Sequence, residues 1–218
     1  MKDLYNKLID GYFGESRALF IEKTFNHLLS LNRPIKILET GCQHTDGFGF
    51  TSLFGDLIKN YTGGELLSID LDLNHIQKSK EINKDYLNVI DFVCGDSVQV
   101  IKSLSNEFIN SVDLFILDSY DLDICYPIPS FTHHLKELLS FIDRVNKNTW
   151  IAIDDNYMPD TWIEWITEGG AKKEIIQTGD KIIGKGTYCD VFLKDNAWTR
   201  DEEVIISGDR NIFLYYKT

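Results

Sequence analysis

Apolar residues near the start of the chain recur at helical spacing: Leu4, Leu8, Ile9 and Phe13, then Leu19, Phe20, Phe25, Leu28 and Leu29. Steps of three and four gather them on one face of a helix. Gly11 and Gly14 predict a break, so residues 1–31 read as an N-terminal segment of two helices, and Pro34 ends the second. The pattern then alternates. IKILET is a short apolar strand, FTSLFGDLIKN a helix, GELLSIDLD a turn and strand, and NHIQKSKEINKDYL an amphipathic helix carrying Ile76, Ile82 and Leu87. VIDFVCGDS reads as a strand and VQVIKSLSN as a short helix. SVDLFILDSYD is the clearest strand, an almost continuous apolar run of the kind covered on both faces. FTHHLKELLSFIDRVN is a helix, and TWIAIDDN another buried strand.

This alternation predicts a parallel, doubly wound α/β sheet over residues 35–156. The character changes after Asn156: DTWIEWITEGG reads as a helix, while YCDVFLK, EVIIS and NIFLYYK read as closely spaced antiparallel strands. With no repeat and no Pro/Ser-rich linker, residues 1–218 count as one domain, with a core at 35–156 and a C-terminal helix and strands at 157–218.

Open α/β sheets bind ligands at the carboxyl ends of their strands. Here those ends carry Glu39, Asp70, Asp96, Asp118 and the Asp154-Asp155-Asn156 run, an acid in every case. Any one of them reads more simply as a helix N-cap or a solvated turn residue. Their succession, strand after strand, is what points to a ligand.

Charge narrows the ligand. The chain has 218 residues, 43% hydrophobic and 26% charged, with a net charge of −12. Such a surface repels a phosphate backbone, so nucleic acid is not an expected partner and a small neutral or cationic ligand is. No apolar run approaches the ~20 residues of a membrane span. The first residues lack the apolar stretch of a secretory leader, so a cytoplasmic location is expected, away from membranes. Four scattered cysteines and five histidines show neither disulfide nor metal-finger spacing.

The loop ILETGCQHTDGFGFTS, residues 37–52, sharpens this further. No lysine lies between Lys36 and Lys59, which removes the phosphate-binding loop of nucleotide hydrolases. Gly41, Gly47 and Gly49 lack dinucleotide-binding spacing, and Glu39 would repel a pyrophosphate. Glu39 suits a cationic group instead, with Gly41 letting the backbone pass close to it. Asp70 suits ribose hydroxyls, and Asp96 with Ser97 suits an adenine amino group and ring nitrogens.

A nucleoside with a cationic tail fits all three places, and the constellation resembles the class I S-adenosylmethionine-dependent methyltransferases over residues 35–156. LETGCQHTDGFG, SIDLD, CGDS and LFILDS stand where that family has its first, ribose, adenine and fourth-strand motifs. The resemblance implies a Rossmann-like doubly wound sheet of seven strands, mostly parallel with an antiparallel last strand, and N-terminal helices added. It also implies S-adenosylmethionine as cofactor, with Glu39 and Gly41 at the methionine part, Asp70 at the ribose and Asp96 or Ser97 at the adenine. Asp118 would border the cofactor from the fourth strand. The family glycine expected near Thr45 is displaced, leaving Gly47 or Gly49 to serve.

Within the family, LFILDS followed by IAIDDN is similar to the catechol and caffeoyl-CoA type of O-methyltransferase. That likeness implies a divalent cation such as Mg²⁺ on Asp118, Asp155 and Asn156. The lysine base that this type carries soon after the fourth strand is absent from DSYDLD, so His133, His134 and Asp118 are the candidate catalytic groups. The implied reaction is O-methylation of a small molecule or sugar hydroxyl. N-methyl or aminopropyl transfer, or a non-catalytic nucleoside-binding module, stay open beside it. A homodimer is compatible with the sequence.

Overall fold

The computed structural model describes residues 14–47, 49–166 and 173–217. The first predicted helix lies outside the described residues. The second is α1, Gly14–Ser30, whose Ala18, Ile21, Phe25 and Leu28 alternate in steps of three and four and are buried.

The alternating region folds as its pattern predicts. Strand β1 (Ile35–Thr40) is followed by α2 (Phe50–Leu57), and β2 (Gly64–Asp70) by α3 (Leu73–Ile82). Then come β3 (Ile90–Cys94), α4 (Ser97–Ser103), α5 (Asn106–Asn110), β4 (Leu114–Leu117), α6 (Ile128–Leu139) and β5 (Trp150–Tyr157). These five strands pair in parallel in the order β3-β2-β1-β4-β5.

The period of two in β4 shows why the sheet is covered on both faces. Leu114 and Ile116 join a core with α1 and α2, through Phe20, Phe25 and Phe54. Phe115 and Leu117 join the opposite core, with Ile101, Leu138 and Leu193. Alternate residues thus feed two hydrophobic layers, and the acids that face the cleft gather at the strand ends.

The C-terminal third departs from the sequence reading in three places. The backbone of WIEWI is strand β6 (Trp162–Ile166), not helix, and it pairs antiparallel with β7 (Lys173–Gln177) in a separate ribbon. YCDVFLK lies in a helix, α7 (Thr187–Asp195), because Cys189 and Leu193 stand four apart and are both buried against the sheet. EVIIS begins in a short 3₁₀ turn, Glu202–Val204, where the Glu203 amide donates to Asp201. Between these lie the two-residue strands β8 (Ile183–Gly184) and β9 (Thr199–Arg200). NIFLYY is β10 (Asn211–Tyr216), inserted antiparallel between β5 and β9, while β8 pairs antiparallel with the end of β5. The small β8 makes the sheet eight-stranded rather than seven-stranded. Among the described residues, no helix is long and apolar enough to cross a membrane.

Candidate cofactor and acceptor site

A cleft of ≈ 1280 Å³ opens at the carboxyl ends of β1 to β5, and Glu39, Asp70, Asp96, Asp118 and Asp155 all line it. It begins where β1 ends. The Gly41 amide donates to the Ile69 carbonyl at 2.7 Å, and the residue turns at φ +82°. A Cβ there would run into the Asp118 carbonyl oxygen, so only glycine lets the loops after β1 and β4 meet.

Glu39 is buried at the end of β1, and its Oε2 accepts from Thr51 Oγ1 and Ser68 Oγ, each at 2.7 Å. Burial pushes its carboxyl up to about 7, against the two hydroxyls that favour the charged form. A positive group arriving in the cleft would reverse that shift. Asp70, ending β2, accepts from the Cys42 amide at 3.1 Å and the Asp72 amide at 2.8 Å. Asp72, not Asp70, caps α3, which leaves Asp70 facing the cleft.

Asp96 does serve as the cap of α4, taking the Gln99 amide at 2.9 Å, while also lining the cleft. Ser97 Oγ lies 3.1 Å from His133 Nε2. His133 therefore stands on the side of the cleft where β3 ends, 3.3 Å from the buried Glu137 carboxylate. Burial works to raise Glu137, but His133, His134, Ser97 and Ser119 together hold it below its ordinary value.

Gly47 lines the cleft at φ +112° with no atom close enough to touch an added Cβ. The loop's organiser is Gln43, which sequence reading passed over. Its Nε2 donates to the Thr45 and Gly47 carbonyls, and its Oε1 accepts from the Ser52 hydroxyl.

Two candidates fall outside the cleft. His134 is fully buried, with Nδ1 2.8 Å from the Ser130 carbonyl, so Nδ1 carries the proton. Burial lowers it to about 4, and it does not line the cleft. Asn156 is likewise buried: its Nδ2 donates to the Ile153 and Asp154 carbonyls, and its Oδ1 accepts from the Gly186 amide at 2.7 Å. Its amide is consumed in fastening backbone, so it offers no donor to a metal.

The carboxylates that do converge are Asp118, Asp154 and Asp155, with oxygens within 4.8 Å of one another. Three cations already meet them. Lys185 Nζ lies 2.6 Å from Asp118 Oδ1 and 3.1 Å from Asp155 Oδ2. Arg17 Nη2 lies 2.6 Å from Asp154 Oδ1 and 2.9 Å from Asp155 Oδ1, and Arg210 Nε lies 3.1 Å from Asp155 Oδ1. Burial would raise Asp155, yet Lys185, Arg210 and Arg17 hold it well below the usual carboxylate range. Burial lifts Asp118 above that range, opposed by Lys185 and reinforced by Asp154 and Asp155. The donor set does not fit a divalent ion, which needs about six oxygens around it rather than three carboxylates engaged by ammonium and guanidinium.

No family model matches the sequence, and no curated protein matches it. Solved structures do. The precorrin-6y C5,15-methyltransferase of Geobacter metallireducens aligns over 93% of this chain and 89% of its own, at 11% identity and a TM-score of 0.53. An S-adenosylmethionine-dependent methyltransferase from Clostridium acetobutylicum aligns over 99% and 97%, at 14% identity and a TM-score of 0.51. The fold is that of class I methyltransferases. A TDP-rhamnose 3'-O-methyltransferase of calicheamicin biosynthesis shares this methyltransferase fold at 12% identity and a TM-score of 0.53, over 91% of this chain and 77% of its own. Some other methyltransferases are longer, the chain spanning 50% of two of them. The methyltransferase fold accounts for β10, the strand that enters antiparallel beside β5.

Proposed function

We propose that this chain is an S-adenosylmethionine-dependent methyltransferase acting on a hydroxyl of a small molecule, a sugar among the candidates. One observation carries the reading: Glu39, Asp70 and the Asp96-Ser97 pair stand at the ends of β1, β2 and β3, neighbours in the sheet, and line one cleft. Glu39 receives the amino group, Asp70 the ribose hydroxyls, and Ser97 with His133 the adenine edge. When bound, S-adenosylmethionine supplies an electrophilic methyl on a sulfonium, and transfer is an in-line displacement by the acceptor oxygen.

The protein's part is to orient, to exclude water and to take a proton. Asp118 is the group proposed for the proton. It lies beside the Gly41 turn, where the methionine part is expected, and burial has raised its carboxyl toward neutrality. Lys185 fixes its Oδ1 at 2.6 Å. Among the described residues Oδ2 accepts no hydrogen bond, which leaves it for an acceptor hydroxyl. His133 belongs to the adenine side in this reading, and His134 has no contact with the reaction.

The TDP-rhamnose O-methyltransferase with the same fold supports including nucleotide sugars among the acceptors to be tried. The test is transfer from methyl-labelled S-adenosylmethionine to hydroxylated acceptors, namely nucleotide sugars, catechols and small polyols, read by mass spectrometry. A product heavier by one methyl, formed together with S-adenosylhomocysteine, is expected. Methylation confined to amine acceptors would overturn the hydroxyl assignment, and cofactor binding with no transfer to any acceptor would favour a nucleoside-binding module.

A further inference from the structure

The segment Gly184-Lys185-Gly186 is built to deliver one ammonium. A Cβ on Gly184 would strike the Asp155 carbonyl oxygen, and one on Gly186 would come within 2.8 Å of Asn156 Oδ1. The two glycines therefore let this turn lie directly on the backbone at the end of β5. The Lys185 amide donates to the Asp155 carbonyl at 3.2 Å, and the Gly186 amide to Asn156 Oδ1 at 2.7 Å. Asp155 itself turns at φ +53°, a left-handed conformation that aspartate tolerates better than most side chains. The close approach at Gly184 and Gly186 and a fully used asparagine converge on holding Lys185 in one place.

We propose that Lys185, seconded by Arg17, is the built-in cation of this cluster, standing where a divalent metal ion would otherwise sit, so that the cluster takes up no such ion. The Lys185 side chain is 2% exposed, and two of its three donors are spent on Asp118 and Asp155. A metal could enter only by expelling this ammonium, and a buried charge stripped of its partners is strongly unfavourable. Asp154 is closed to a metal in the same way, since Arg17 Nη2 sits 2.6 Å from both of its oxygens. Within the cleft Lys185 is a positioning residue, fixing one Asp118 oxygen and leaving the other to the acceptor. That role rests on the methyltransferase reading; the exclusion of metal does not.

The test is titration of the full chain with Mn²⁺ alone, by calorimetry and by electron paramagnetic resonance. Wild type and Asp155→Asn are expected to take up Mn²⁺ equally weakly, with no specific site. Lys185→Met, which keeps the stem and removes the charge, frees Asp118 and Asp155 Oδ2 while Arg17 still holds Asp154. It is expected to gain one site on those oxygens with a Kd at least about tenfold below wild type. Lys185→Arg is expected to keep Mn²⁺ out. Specific uptake by wild type that Asp155→Asn abolishes would overturn the proposal, as would a folded Lys185→Met that gains nothing. If Lys185→Met does not fold, the comparison of wild type with Asp155→Asn decides alone. Because S-adenosylhomocysteine titration reads the other half of the cleft, failure here leaves the cofactor reading standing, and the reverse holds too.

Discussion

Glu39 carries an opposition between stability and binding. Its carboxyl lies near 7 rather than 4.5 because burial penalises the charge. A folded value above the unfolded one stabilises the apo chain below the unfolded value, and that contribution is lost as pH rises through about 7. Glu39→Gln should therefore make the apo chain more stable at pH 8, by about 1–3 kcal/mol in denaturant unfolding. Binding runs the other way. A cationic tail needs the ionised carboxylate, so S-adenosylhomocysteine affinity should rise with pH up to about 7 and flatten above it. Glu39→Gln should erase that dependence and weaken binding at pH 8, both read by calorimetry across pH. Asp118→Asn separates chemistry from binding in the same way. It should lower kcat by roughly 10²–10⁴-fold while changing cofactor affinity little; equal losses in both would assign Asp118 to cofactor binding instead.

Strand ends, not strand bodies, carry the chemistry, and single backbone positions set how closely the ends approach. Gly41 is the sharpest case. Gly41→Ala would force φ +82° on a side chain, costing about 1–3 kcal/mol, and would push the Asp118 carbonyl away. Thermal unfolding should record the loss, and cofactor binding should fall with it even where the variant folds. Gly47→Ala makes the control, since open space surrounds that position and only its φ of +112° resists the change. Helix α7 shows where pattern misleads: YCDVFLK is rich in residues that favour strands, yet its Cys189–Leu193 spacing of four carries the burial. Only the packing of that face against the sheet decides between the two periods.

Across the whole molecule, the site is made by contacts that sequence order hides. The strands β1 to β5 and their acids were legible because burial on both faces makes the strand bodies mostly apolar, so the acids where they stop stand out. Lys185 was not legible, lying 67 residues beyond Asp118, nor was Arg17, 137 residues before Asp154. The GKG triplet was the one local signal for Lys185; Arg17 sits in an ordinary helical sequence and offered none. The backbone role of Asn156 was hidden for the same reason, since it depends on the distant Gly186. Arg17 ties α1 to the end of β5, so Arg17→Met should cost about 3–5 kcal/mol in unfolding experiments by leaving buried carboxylates uncompensated. Pairing it with Asp154→Asn should recover part of that loss.

The most direct measurement is calorimetric titration of the folded chain with S-adenosylhomocysteine, alongside Asp70→Ala. Binding at one site per chain is predicted, weakened at least about tenfold by removal of the Asp70 carboxylate. No heat at millimolar ligand, or binding indifferent to Asp70, would contradict the placement of a nucleoside cofactor in this cleft.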